Sequence, residues 1–378
     1  MDNIYHFSAP GRTELGGNHT DHQHGCVLAA AIDLEMTAQV QLNGTGKIQV
    51  RSEGYTPFEV DLSDLSYREE EKGTTAALVR GIAAEFSRLG AKLQGFDMDV
   101  CSQVLPGSGL SSSAAFEVLV GTVCNGLFFG GKLTPEQIAL LGQRVENNYF
   151  GKPCGLMDQM ACAVGGLVFI DFGQSVPQVQ RLDFDFQQAG YALCIIDTGA
   201  DHVDLTDEYA AITRELSQLC GFFGKQYLRQ IPEDVFMDAL PQLREKVTDR
   251  AILRAIHVYQ ENRRVIAQRD ALAAGNVQDY LALVNASGRS SWMYLQNIYP
   301  AGAVERQPVA LVLALCDVLL AGEGAFRVHG GGFAGTVQAY VPLKQLAAFT
   351  AGMEAMLGMG CCRTVKVRQT NGLYHPGI

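Results

Sequence analysis

Leu105-Pro-Gly-Ser-Gly-Leu-Ser-Ser-Ser-Ala-Ala115 sets a glycine turn, three consecutive hydroxyls and two small helix formers in a row. The order reads as a phosphate cradle. Gly107 and Gly109 permit close backbone approach, Ser108, Leu110 and Ser111 to Ser113 supply amides and hydroxyls, and a helix from Ala114 turns its N-terminal amides toward an anion. Two familiar phosphate loops are excluded. A Walker A loop needs Gly-Lys-Ser/Thr, but the glycine-lysine pairs here continue Ile48, Leu133, Pro153 and Gln226. A dinucleotide fingerprint needs a third glycine where Ser112 stands. Upstream, the alternation in Phe96-Asp-Met-Asp-Val-Cys101 predicts a half-buried strand feeding the loop, and helical spacing follows it to about Leu127.

The bulk properties narrow the function classes. With 378 residues, 47% of them hydrophobic, the chain exceeds what one core of about 250–300 residues holds, so two domains are expected, 1–180 and 181–378. The formal charge is −11, from 40 acidic and 29 basic residues, and no basic block stands out, which argues against nucleic acid. The N-terminus lacks the basic and apolar regions of a signal peptide, and no run of about 18 apolar residues could span a bilayer. A cytoplasmic protein with no membrane contact and no obligate protein partner is expected. Ten cysteines lie scattered without a CxxC pair and read as reduced core thiols.

Further along, Thr134-Pro135-Glu136 predicts a capped helix start, with Ile138, Leu141 and Val145 as one apolar stripe and Glu146 near its end. Gly165–Phe172 and Tyr191–Asp197 predict buried strands. The polar stretch from about Gly173 to Gln188 between them reads as irregular and as the domain boundary. Helical periodicity then covers Thr206 to about Phe222, Thr248 to about Ala274 and Pro308 to about Leu320. A second glycine cluster, Gly330-Gly-Gly-Phe-Ala-Gly335, separates the strand-like Phe326–His329 from Thr336–Val341.

The N-terminal cluster Pro10-Gly-Arg-Thr-Glu-Leu-Gly-Gly-Asn-His-Thr-Asp-His-Gln-His-Gly25 reads as a loop with a sugar-binding vocabulary: Asp21 can accept two hydroxyls, His19 can donate or accept, and Arg12 carries fixed positive charge. His19, His22 and His24 crowd together, but their spacing matches neither HExxH nor a finger pattern.

Three motifs in this order, Gly11–Asp21, Leu105–Ala115 and Gly330–Gly335, resemble the signatures of the GHMP small-molecule kinases, and the first resembles the galactokinase family within them. Pro153-Cys-Gly-Leu-Met-Asp-Gln159 is a fourth galactokinase-like landmark. The resemblance implies an α/β (α+β) two-lobed fold, with an N-terminal domain of the ribosomal-protein type, a ferredoxin-like, partly helical C-terminal domain, and the site between them. It implies transfer of the ATP γ-phosphoryl to the anomeric hydroxyl of galactose with Mg2+. Asp158 and Arg12 would be catalytic; Asn18, His19, Asp21, Gly155 and Tyr209 would hold the sugar. Gly107 to Ser113 would bind the phosphates, Gly330, Gly331, Gly332 and Gly335 would form a nucleotide lid, and Ser113 and Glu146 would hold the metal.

Two positions depart from the family pattern. Ala334 replaces a glycine and is expected to narrow the lid's backbone freedom. Asn18 stands where galactokinases usually carry glutamate against the primary hydroxyl, which makes a related hexose, or a hexuronate such as galacturonate, the alternative substrate. A non-catalytic sugar and ATP sensor is the remaining reading, and the intact Ser111–Ala115 run stands against it.

Overall fold

The protein is described by a computed structural model covering residues 3–104, 109–152, 154–200, 205–369 and 374–375. Strand β2 (Cys26–Leu42) is its spine. The first seven residues are apolar and buried on both faces, whereas the later ones alternate, and the pairing follows that change. Over most of its length β2 pairs antiparallel with β1 (Ile4–Gly16), whose register shifts between Pro10 and Arg12 and between Glu14 and Gly16. On its other edge the sealed half pairs with β6 (Leu167–Asp171) and the alternating half with β5 (Phe96–Ser102). β3 (Lys47–Ser52) joins β5 in parallel and β4 (Phe58–Asp61) antiparallel; β7 (Gln178–Leu182) joins β6, and β12 (Tyr374–His375) joins β1, completing an eight-stranded sheet.

Against it pack α1 (Thr75–Arg88), α2 (Ser112–Phe128), α3 (Pro135–Val145) and α4 (Met157–Val164). The start of α3 is as expected: Thr134 Oγ1 accepts from the amide of Gln137, whose side chain reaches back to Thr134 N, and Pro135 fills the first turn. Ile138, Leu141 and Val145 are buried. Each apolar side chain sealed this way contributes roughly 1.5–3 kcal/mol.

The second sheet has four strands in the order β11 (Cys362–Val365), β8 (Tyr191–Asp197), β10 (Thr336–Pro342), β9 (Ala325–Val328). α10 (Pro308–Leu320) and α11 (Leu346–Leu357) share its apolar cluster. A third cluster joins α5 (Thr206–Phe222), α6 (Glu233–Asp238), α7 (Leu240–Leu243) and α8 (Asp249–Ala273). α8 starts on its Thr248 cap. Val265 and Leu272 of α8, with Tyr280, Leu281 and Val284 of α9 (Val277–Ser290), belong to the core of the first sheet. The core of the first sheet therefore draws on both halves of the chain.

Two expectations need correction. The stretch 173–188 is not irregular, since it holds β7 as an edge strand. Its side chains are mostly exposed, so the hydrogen-bond ladder to β6 maintains it and no apolar alternation announces it. The first part of the N-terminal cluster, Pro10–Gly16, is strand as well. β1 runs to Gly16, and only residues 17–25 form a loop. All ten cysteines are free. Among the described residues no helix is long and apolar enough to cross a membrane.

Candidate active site

The centre of the site joins β1, the turn before α2 and the first turn of α4. Arg12 projects from the bulged part of β1 and grips Asp158 with two parallel bonds, Nε to Oδ1 and Nη2 to Oδ2, each 2.8 Å. Its Nη1 donates to the carbonyl of Gly109, and its amide donates to Leu110 O at 3.1 Å. One residue thus fixes both the carboxylate and the phosphate turn. Ser111 donates its hydroxyl to Asp158 Oδ2. Burial pushes the Asp158 carboxyl up, but the Arg12 guanidinium and the Ser111 hydroxyl outweigh it and hold the group below its usual value. Its side chain remains 35% exposed, which leaves it reachable.

The phosphate turn carries its own constraints. Gly109 has φ 70°, and a Cβ there would come within 2.8 Å of Thr336 Oγ1, so only glycine suits the position. Ser111 adopts φ 58°, a conformation costing a non-glycine residue about 1 kcal/mol. Since its hydroxyl is committed to Asp158, it makes no side-chain cap for α2. The first amides of α2, at Ser112 and Ser113, have no acceptor within the helix and suit an anion. Gly107 and Ser108 lie outside the described residues.

Behind this turn sits a carboxylate cluster. Glu146 opens a π-helical turn (Glu146–Phe150) and is buried; Ser113 Oγ lies 3.5 Å from its Oε1. Gln159, next to Asp158, donates to Glu146 Oε2 at 2.6 Å and to Glu117 Oε2 at 3.0 Å. Burial and the neighbouring Glu146 push Glu117 well above the carboxylate range. Lys152 Nζ reaches within 3.9 Å of Glu146 Oε1. Ser113 and Glu146 bring two oxygen donors together beside the phosphate turn, the donor type a hard cation takes. Among the described residues no group of three or more His, Cys, Asp or Glu forms a metal centre. His24 stacks on Tyr227 instead.

Across from Asp158 lies the loop 17–25. A Cβ on Gly155 would land 1.9 Å from Asp21 Oδ2, so this carboxylate rests against the bare backbone at Gly155. His19, also at positive φ, meets Gly331 O through Nε2 at 2.9 Å. Burial and the neighbouring His22 lower its pKa to about 4, so the ring is neutral at neutral pH. Tyr209, one turn into α5, donates to Gly332 O at 2.6 Å. Asn18 is completely buried; Nδ2 donates to Gly330 O, and Oδ1 accepts from Asn297 Nδ2 at 2.7 Å. Three successive carbonyls of the glycine loop therefore meet side chains assigned to the sugar. Ala334 does not strain that loop, because its left-handed positions are Gly330, Gly332, Phe333 and Gly335.

The galactokinase galactose-binding signature matches residues 2–42, the segment carrying Arg12, Asn18, His19 and Asp21, and the GHMP kinases N-terminal domain matches 77–166. A galactokinase of Glaesserella parasuis is 31% identical over 360 residues, spanning 90% of this chain and 86% of its own. The chain belongs to the galactokinase family. The Lactococcus lactis galactokinase, solved as a complex with galactose, superposes with TM-score 0.82 at 25% identity over 98% of this chain and 95% of its own. The Methanococcus jannaschii mevalonate kinase, at 15% identity and TM-score 0.69 over 97% and 98%, shares the fold. As in these kinases, the architecture is the two-sheet GHMP fold.

Within that galactokinase frame several participants escape sequence reading. Glu117 lies four residues after Ser113, a helical spacing that puts both on one face of α2. Gln159 stands inside the quoted Met157-Asp-Gln159 motif without a role. His329 links Thr13 Oγ1, 3.0 Å from Nε2, to Thr336 Oγ1, 2.8 Å from Nδ1, and so ties β1 to the glycine loop. Asn297 carries no local signal.

Proposed function

We propose that the chain transfers the γ-phosphoryl of ATP to the anomeric hydroxyl of D-galactose, forming galactose 1-phosphate and ADP. The observation that carries the reading is the bidentate Arg12–Asp158 pair, joined to the phosphate turn by Gly109, Leu110 and Ser111 and facing the Asp21–Gly155 contact. In the transfer the bond from phosphorus to the ADP oxygen breaks while one to the sugar oxygen forms, and the hydroxyl proton passes to an oxygen of the transferred phosphoryl group and from there to solvent.

Asp158 accepts from that hydroxyl with the lone pairs that Arg12 and Ser111 leave on its oxygens. A carboxylate held below its usual pKa is a weak base, so its contribution is to orient the hydroxyl and stabilise positive charge on the departing proton. Arg12 and the α2 amides stabilise charge on the phosphoryl group. His19, Asp21, Tyr209 and the backbone at Gly155 would hold the sugar, and Gly330, Gly331, Gly332 and Gly335 would cover the nucleotide phosphates. Ser113 and Glu146 would hold Mg2+, which neutralises phosphate charge when bound. The division at 180/181 falls inside β7, which pairs with β6 in the first sheet, so the change of sheet along the chain comes some ten residues later, at β8.

The hexuronate alternative loses its support at Asn18. Its amide is enclosed and donates to Gly330 O and, more weakly, to Glu14 at 3.4 Å, so it offers no free donor to a substrate carboxylate. The intact Arg12–Asp158–Ser111 geometry favours catalysis over sensing. Coupled ADP release with MgATP against galactose, galacturonate, N-acetylgalactosamine, glucose and arabinose tests the reading. Preference for galactose is expected. Preference for galacturonate would overturn the substrate, and binding of sugar and ATP without ADP release would overturn the reaction.

A further inference from the structure

One fully buried amide in the site has no role in the account above. Asn297 follows the π-helical turn Ser291–Leu295 and Gln296, whose left-handed backbone ends that turn. Its Nδ2 donates in two directions, to Asn18 Oδ1 at 2.7 Å and to Gly331 O at 3.1 Å. Its backbone oxygen accepts from Phe333 N at 2.6 Å. Gly332 lies so close that a Cβ there would stand 2.1 Å from this oxygen. A single residue thus grips the loop 17–25 on one side and the glycine loop on the other.

The grip is braced from behind. The backbone oxygen of Asn18 lies 3.0 Å from His257 Nε2, and His257 Nδ1 lies 2.8 Å from Ser290 Oγ. A carbonyl can only accept, so Nε2 carries the proton and Nδ1 takes the Ser290 hydroxyl. Burial lowers the His257 pKa, which keeps the ring in this neutral form. The Asn297 amide cannot turn over, because both of its Nδ2 partners are acceptors. Among the described residues none donates to its buried Oδ1, a penalty that an apolar side chain of similar size would avoid.

We propose that Asn297 is a positioning residue: it locks the glycine loop 330–335 to the loop 17–25, and so sets how the sugar-holding and nucleotide-covering parts face each other. The assignment of those two roles rests on the proposed function; the lock itself rests on the contacts.

The test compares wild type with Asn297→Ala and with Asn297→Leu, which keeps the branched shape but removes both donors without adding charge. Backbone hydrogen exchange across 330–335 is read without substrates, and kcat and KM for galactose and MgATP are read separately. The expected result is at least tenfold faster exchange across 330–335 in both variants. A loss of kcat/KM for galactose of tenfold or more should accompany it, with Leu no better than Ala. A filler role predicts a different order, Leu close to wild type and Ala impaired. That order, unchanged exchange, or failure of both variants to fold overturns the proposal; if only Ala fails to fold, Leu decides. A wild type that phosphorylates no sugar ends the functional reading and leaves the lock to the exchange data.

Discussion

Two arginine–carboxylate pairs hang from the same strand, and they behave in opposite ways. Arg12 meets Asp158 across 146 positions, and Glu14, two residues further along β1, meets Arg327 across 313. At the first pair the Asp158 side chain is 35% exposed; at the second, Arg327 and Glu14 are at 0% and 4%. Burial pushes both carboxyls up. At Asp158 the guanidinium and the Ser111 hydroxyl win, and the group sits below its usual value. At Glu14 burial wins despite Arg327, and the group sits above it. The same two functional groups make a reachable, ionised carboxylate at one end of two residues and a sealed tie between the sheets at the other.

The sharpest way to break this contrast is to remove each carboxylate in turn. Asp158→Ala should lower kcat by about a thousandfold or more, the scale expected when an orienting group and its charge are lost together. Sugar binding, measured by calorimetry, should change little; near-normal turnover would remove Asp158 from the chemistry. Glu14→Ala should act on stability. Leaving Arg327 buried without its partner costs about 3–5 kcal/mol, read as a lower urea midpoint. The double variant Glu14→Leu with Arg327→Met should unfold at higher urea than either charge-breaking single variant. Equal kinetic and stability losses in the two carboxylate variants would erase the distinction between the pairs.

A third, smaller effect comes from pH. His19 titrates near 4 in the folded chain, because burial and the neighbouring His22 disfavour its charged form, against about 6.5 when unfolded. The unfolded chain therefore takes up this proton first. Stability is complete above about pH 6.5 and is lost as pH falls toward 4, by at most about 3 kcal/mol. His257 and His329 shift the same way, so the His19 share is the difference between wild type and His19→Gln across that window. Parallel curves for the two proteins would mean that His19 is solvated.

How much of this was legible in the chain follows from the range of each cue. The Thr134 cap and the helix at Asp249–Ala273 are announced within a few residues and form where expected, and α2, expected from Ala114, opens two residues earlier at Ser112. β7 gives no apolar alternation because most of its side chains stay in water and the backbone ladder to β6 holds it. Over Pro10–Gly25 the density of Gly, Asn, Asp and His reads as loop and hides the end of β1, whose partner there is the buried half of β2. Asn297 meets Asn18 across 279 positions, and no spacing rule spans that distance. The family resemblance makes Asn18 a sugar contact, whereas its side chain is buried and donates to the glycine loop.

The smallest effect concerns Ala334, where sequence reading anticipated a restricted lid. Its backbone is outside the left-handed region, and its amide donates to Gly332 O at 2.7 Å, an interaction that needs no glycine. The residue that bears the unusual φ is Phe333, at 59°, with its ring edge-on to Tyr209 at 5.3 Å. The lid is therefore shaped by what Phe333 packs against and by Asn297 beneath it, and a methyl at 334 constrains little that the native loop uses. Ala334→Gly should leave kcat and both KM values within about twofold while lowering stability by roughly 0.4–1 kcal/mol, since glycine mainly adds freedom to the unfolded chain. A several-fold gain in kcat would place the limiting motion at 334 and shift the comparison away from the two arginine pairs toward the lid.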